Sequence, residues 1–299
     1  VDMIYNHFGV ETVKKLHPSI VPVDWQYGNV SRGVHYWEEL ADQGREVWGL
    51  AGYGNCGNFL PDFSKAKKHY ADWIRQLRKV PGGALFSSIW GDNGYENSRD
   101  LCWNLYAAFG ENTWSGASAE EASFERRFQA TFYGRALPRL EKLIRDLPGS
   151  LGLQPRQWWQ LHRKRACSML RYAAEKTDEA RNASADIRKL EAALKAIDAC
   201  RPLARREADH LDHFEVSLRR MLSVARRLDF ARRYVSGMPK ARARTEVRKL
   251  TREMSEVKSL YRRVWLRHNK RENIDVSLRV FDEVAESFLE LLNPPEKPR

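Results

Sequence analysis

Three short strings of the chain combine aromatic rings with carboxylates, amides and hydroxyls: Asp24, Trp25 and Tyr27; Tyr53, Asn55 and Asn58; and Trp90, Asp92, Asn93 and Glu96. That mixture suits a sugar. An indole covers the C–H face of a pyranose, while carboxylates and amides take its hydroxyls in directed hydrogen bonds. For any one of these Trp residues, core packing is the better expectation, at about two chances in three, because buried aromatics usually pack. Three such clusters at corresponding places weigh the other way, provided that the elements carrying them bring them together.

Each cluster ends or follows a run that reads as a buried strand: SIVPVDW (19–25), REVWGLAG (45–52) and ALFSSIW (84–90), all apolar and bounded by Pro or Gly. Between and after them, GVHYWEELADQG (33–44), DFSKAKKHYADWIRQLRKV (62–80) and SRDLCWNLYAAFG (98–110) have helical spacing, with Tyr70, Trp73, Ile74 and Leu77 on one face. Strands alternating with helices predict parallel α/β structure, in which working side chains stand at the C-terminal ends of strands. Three βα units do not close a sheet, so the expectation is the last part of a (β/α)8 barrel whose first half is absent. The chain also begins at Val1 within VDMIYNHFG, which reads as the middle of an element and as the C-terminal part of something longer.

Composition divides the 299 residues in two. Residues 1–117 hold 11 Lys and Arg against 13 Asp and Glu, a net charge of −2, which leaves 40 against 26, or +14, for residues 118–299. The first part holds 14 of the 18 Gly and 7 of the 10 Trp, as loops around an aromatic-lined pocket require. The second is rich in Arg, Ala and Leu and reads as helices over 118–133, 135–146, 155–182, 184–235, 239–270 and 275–292, separated at Pro148-Gly149, near Pro202, at Gly237-Met238-Pro239 and at Asn273. The predicted fold class is therefore α/β plus all-α: the C-terminal half of a TIM barrel over 1–117, then an α-helical domain over 118–299.

Other function classes find less support. No run of roughly 18 apolar residues occurs, so no membrane-spanning helix is expected. Cys56, Cys102, Cys167 and Cys200 have no metal-ligand spacing and read as free, mostly buried thiols. Asp209-His210-x-Asp212-His213 has two His on one helix face, but a polar helix surface is the better reading at about nineteen in twenty. GDNGYE matches no phosphate-binding pattern, and no cofactor is expected. Arg226-Arg227, Arg232-Arg233 and KARAR (240–244) could bind a polyanion, yet the signs are interleaved around them, and nucleic acid stands near one in ten. The compartment stays open, with the cytoplasm slightly favoured, and so does the oligomeric state.

At the strand-end clusters the sequence resembles a family. DWQYG (24–28), the stretch from Trp48 to Asn58 and above all LFSSIWGDNGYENS (85–98) are similar to the last barrel strands of family 20 glycoside hydrolases, the β-N-acetylhexosaminidases, in the subgroup with a helical C-terminal domain. DMI (2–4) and YRRVWLRHNKREN (261–273) are looser matches, and only Trp-Gly-Asp-Asn-Gly-x-Glu is specific. The resemblance implies that Trp25 and Tyr27 wall an acetamide pocket, with the Tyr27 hydroxyl holding the acetamide carbonyl. It also implies that Trp90 floors the sugar site and that Asp92, with Glu96 as a weaker candidate, takes outer hydroxyls. Where the family usually offers another Trp, this chain has Tyr53 or Asn55, a departure from the family's pocket.

The chemistry implied is substrate-assisted and retaining. The 2-acetamido oxygen attacks the anomeric carbon, an Asp orients the acetamide, and a neighbouring Glu protonates the leaving oxygen. That Asp-Glu pair belongs after the fourth strand, upstream of Val1 on this register. Within the chain, Glu38-Glu39, Glu120-Glu121 and Glu11 read as helix surface, and Asp92 with Glu96 is a one-in-ten substitute. The expectation is a partner carbohydrate carrying N-acetylhexosamine, with catalysis incomplete in this chain alone. The alternative is a noncatalytic carbohydrate-binding protein, or a basic helical scaffold that binds nucleic acid.

Overall fold

In the first strand, Val23–Gln26, side chains alternate between two surroundings, and this alternation organises the first part of the molecule. The structure is a computed structural model that describes residues 2–28, 30, 34–52, 58–80, 82–90, 98–116, 121–272 and 274–292. It divides into two units: Val1–Cys56 with Asp62–Trp90 and Cys102–Ala130, and Gly57–Pro61 with Gly91–Leu101 and Thr131–Arg299.

The first unit opens with short helices α1 (Asp2–Phe8) and α2 (Val10–Lys14). The guanidinium of Arg45 then gathers the carbonyls of Val13, Leu16, His17 and Ile20, fixing the turn that delivers the chain into strand β1 (Val23–Gln26). Strands β1, β2 (Trp48–Gly52) and β3 (Ala84–Ser88) form a parallel sheet in that order, with Trp25 beside Leu50 and Leu50 beside Phe86. Among the described residues the sheet ends at β1 on one side and β3 on the other.

Helices α3 (Val34–Ala41) and α4 (Phe63–Leu77) cover one face of this sheet. Asp62 caps α4 by accepting from the Lys65 amide at 3.1 Å. Trp37 and Trp73, both fully buried, stack at 5.3 Å between the helices and the sheet. A ring of this size buries about 200 Å², or roughly 5 kcal/mol of transfer free energy before the cost of ordering. Gly49 on β2 makes room for it: a Cβ there would stand 2.5 Å from the Trp73 ring. On the same face the Ser87 hydroxyl donates to Tyr70, whose phenol burial pushes up to about 12. Helix α5 (Trp103–Ser115) packs on α4 through Tyr70 and Phe109, and α6 (Glu121–Phe132) follows. There the buried Glu125 carboxylate takes Lys67 and the Asn104 amide.

The second unit is helical. Its helices are α7 (Pro138–Ser150), α8 (Pro155–His162), α9 (Ala166–Glu175), α10 (Thr177–Cys200), α11 (Leu211–Val235), α12 (Lys240–His268) and α13 (Ile274–Glu290). Helix α11 is central, packing on α8, α9, α10 and α12, and α12 packs on α13. Val216, Val257, Tyr261, Val264, Leu278 and Phe281 form a buried cluster at that end. No described helix is long and apolar enough to cross a membrane.

Several boundaries differ from the sequence reading. The first strand begins at Val23 rather than at residue 19. Pro148, a separator in the sequence reading, lies inside the last turn of α7, where it costs the helix the bond that its own N–H would make to the Ile144 carbonyl, and the helix ends two residues later. The single helix expected over 155–182 is three helices, broken at residues 163–165 and at Lys176. Among the described residues the structure shows a small parallel α/β sheet with helices, and then helices, and no closed barrel.

Candidate functional site

Because strand side chains alternate, Trp25 points to the face of the sheet opposite Asp24, away from α3 and α4. Tyr27, two residues on, keeps to the same side. Trp25 lies 5.3 Å from Tyr27 and stacks on Trp90 at 5.1 Å with the rings 12° from parallel, so the ends of β1 and β3 converge on one aromatic group. The Trp90 indole N–H donates to the Ser88 hydroxyl at 3.2 Å, which fixes the ring beside the strand that precedes it. Tyr27 is 50% exposed and Trp90 is 42% exposed, an unusual state for large rings at a strand end and one that leaves surface for a ligand.

Strand β2 contributes by having no side chain at its end. A Cβ on Gly52 would lie 2.5 Å from the Tyr27 ring, 2.8 Å from Trp25 Nε1 and 3.1 Å from the Ser88 hydroxyl. Gly52 is the floor on which the other two strands' residues meet. Trp25 Nε1 is buried and has no hydrogen-bond acceptor among the described residues. A buried donor without a partner costs about 1–3 kcal/mol, so a ligand oxygen that reached it would recover that energy. Farther down the same face, Trp48 and Phe86 meet edge to face at 5.2 Å, continuing the apolar surface.

Of the residues singled out in the sequence, the structure therefore brings together Trp25, Tyr27 and Trp90. Tyr53, Asn55, Asp92, Asn93 and Glu96 lie outside the described residues. Asn58 belongs to the second unit. Asp24 is corrected: its side chain is fully buried on the helix-facing side, where it accepts from Trp37 Nε1 at 2.9 Å and from the Gln26 amide at 3.0 Å. It is a structural carboxylate, each oxygen of which accepts a hydrogen bond from a neighbouring side chain. Sequence reasoning missed Gly52 and Ser88. The two-residue period that places Trp25 opposite Asp24 was the available signal for the correction.

The other motifs resolve into packing. His210 accepts from the Tyr133 hydroxyl at Nδ1 (2.8 Å), and its Nε2 donates to the Asp100 carbonyl (2.7 Å). His213 Nδ1 lies 2.5 Å from the Ser98 hydroxyl, and Asp212 is held by Arg201 and Arg267. Among the described residues no group of three or more His, Cys, Asp or Glu could hold a metal. Cys102, Cys167 and Cys200 are free thiols.

The arginine blocks are engaged as well. Arg226 binds Glu191 and Glu253, Arg232 binds Asp229, and Arg233 binds Asp229 and Glu246. Arg227 is fully buried and donates to the carbonyls of His162, Lys164 and Ser223, its guanidinium pushed down to about 9 by burial.

Comparison with known proteins adds little to this geometry. No protein-family model matches the chain, and no curated protein does. Among solved structures, the chain is similar to a GH138 enzyme targeting pectin rhamnogalacturonan II, at 10% identity and a TM-score of 0.47, over 97% of this chain and 55% of that one. The chain thus spans about half the length of that neighbour, and a likeness of this size carries no argument about activity.

Proposed function

We propose that the aromatic end of the three-stranded sheet is a carbohydrate-binding site of the glycoside hydrolase type, taking an N-acetylhexosamine. The observation that carries this reading is the convergence of Trp25, Tyr27 and Trp90 on one side of the sheet, with rings partly exposed and an unsatisfied indole N–H among them. Exposed rings give a pyranose its apolar contact, and the Trp25 N–H and Tyr27 hydroxyl give directed bonds to an acetamide. The resemblance of residues 24–28 and 85–98 to family 20 enzymes points to the same sugar.

On this reading the sheet is the last part of a (β/α)8 barrel, residues 1–117 form the barrel portion and residues 118–299 the helical domain. Tyr27 holds the acetamide oxygen toward the anomeric carbon, so that little orientation is lost on reaching the transition state. Trp90 is the floor, and Asp92, Glu96, Tyr53 and Asn55 are the residues proposed to supply polar contacts. The Asp-Glu pair of the family has no counterpart assigned in this chain. The activity proposed for the chain itself is therefore binding, and cleavage with retention belongs to a protein that also carries the pair.

Titrating the chain with N-acetylglucosamine while following tryptophan fluorescence tests the reading. A saturable change that disappears in Trp90→Ala is the expected result. A wild-type chain whose fluorescence does not respond, or a response that Trp90→Ala leaves untouched, would refute it.

A further inference from the structure

Tyr27 occupies a short stretch after β1, and its usefulness to a ligand depends on what holds the backbone there. One buried side chain meets that backbone on the side of Gln26. His69, on α4 and 6% exposed, places Nε2 2.9 Å from the Gln26 carbonyl, to which its N–H donates. Gln26 immediately precedes Tyr27 in the chain.

The ring is itself held. Trp73, one turn along α4, meets His69 edge to face at 84° with its indole nitrogen 3.1 Å from Nε2. Trp73 in turn is locked by its stack on Trp37 and by the space that Gly49 leaves. A column of packed rings therefore runs from the sheet to the peptide unit that precedes Tyr27, while the Tyr27 side chain stands on the opposite, aromatic side beside Trp25.

We infer that His69 is a positioning residue for Tyr27: by holding from Nε2 the Gln26 carbonyl that precedes it, His69 sets the placement of the Tyr27 phenol, and so the preference for a sugar bearing an acetamide. This rests on the carbohydrate reading above. His69 does not touch the ligand in this account. It acts through the backbone, so its loss is expected to remove the acetamide preference and to leave the contact of the sugar ring with Trp90 in place.

The ratio of dissociation constants for N-acetylglucosamine and glucose, measured by ligand-observed NMR on the full 299-residue chain, reads this directly. His69→Asn places its amide near Nδ1 and cannot serve the Nε2 contact, whereas His69→Gln places a donor near Nε2. Loss of one well-placed hydrogen bond changes an affinity by about tenfold. His69→Asn is expected to lower the preference for N-acetylglucosamine by about that factor with glucose binding unchanged, and His69→Gln to keep most of it.

If both variants keep the wild-type ratio, or if His69→Asn weakens both sugars equally, His69 is a packing residue and the inference is overturned. A wild-type chain with no preference for the N-acetylated sugar would instead overturn the site reading itself. Should His69→Asn not fold, His69→Phe, which keeps the ring without the donor, decides: a lowered preference for N-acetylglucosamine with glucose binding unchanged supports the inference, and an unchanged ratio overturns it.

Discussion

Acid should weaken the helical unit, and the buried histidines at the start of α11 set the pH at which it does so. Burial pushes His213 down from 6.5 to about 4; the His210 and His268 imidazoles add to the drop, and the Asp100 carboxylate opposes it. His210 is lowered too, mainly by burial. In the unfolded chain these rings titrate near 6.5, so as pH falls the unfolded state takes up protons before the folded one does. A folded pKa below the unfolded value means that stability is complete above about pH 6.5 and is lost as pH falls toward 4.

For His213 alone the interval from 6.5 to about 4 corresponds to about 3 kcal/mol, at about 1.4 kcal/mol per pH unit. That is a large part of the 5–15 kcal/mol that holds an ordinary domain together. The paired carboxylates Asp212, Asp229 and Glu246 are held below their usual values and lose their contribution only at lower pH, which leaves the window from 6.5 to about 4.5 to the histidines. Urea unfolding followed by far-ultraviolet circular dichroism at pH 7, 5.5 and 4.5 gives the stability at each point. The wild-type chain should lose stability across the series, and His213→Gln should lose about 2–3 kcal/mol less. Equal losses in the two proteins, or an NMR titration placing His213 near 6.5, would refute the reasoning.

Three substitutions extend the account. Gly49→Ala forces a methyl to 2.5 Å from the Trp73 ring and should cost about 1–3 kcal/mol, measured by thermal or chemical unfolding. Gly52→Ala presses on Tyr27 and Trp25 at 2.5 and 2.8 Å, and should weaken sugar binding more than it lowers the melting temperature, because both rings border an open surface. Arg227→Met removes the donor shared by three buried carbonyls and should destabilise by about 3 kcal/mol in urea unfolding, the loss of carbonyl partners outweighing relief of a buried charge.

Much of the first unit was legible because its signals are local. Trp48–Gly52 and Ala84–Ser88 are apolar runs bounded by Gly, and Tyr70, Trp73, Ile74 and Leu77 recur at helical spacing, so strand and helix separate by period. Trp25 and Tyr27 are two apart and therefore share a face. The same rule places Asp24 on the other one, and grouping it with them overlooked the alternation. What stayed hidden depends on partners far along the chain. The break after His162 has no Gly or Pro to announce it, since the freed carbonyls are taken by Arg227, 65 residues downstream. His69 looked like one more polar position on α4, because its acceptor is a carbonyl 43 residues away. The arginines of α11 read as a charged surface, yet Arg227 is inside and its neighbours are bound to carboxylates.

The central claim, that the aromatic end of the sheet binds an N-acetylhexosamine, is tested most directly by a crystal structure of the chain with N-acetylglucosamine. The account predicts the sugar ring against the exposed face of Trp90 and the acetamide between Trp25 and Tyr27, with an oxygen of the ligand accepting from Trp25 Nε1. Sugar bound only among the helices of the second unit, or an acetamide turned away from Tyr27, would contradict it.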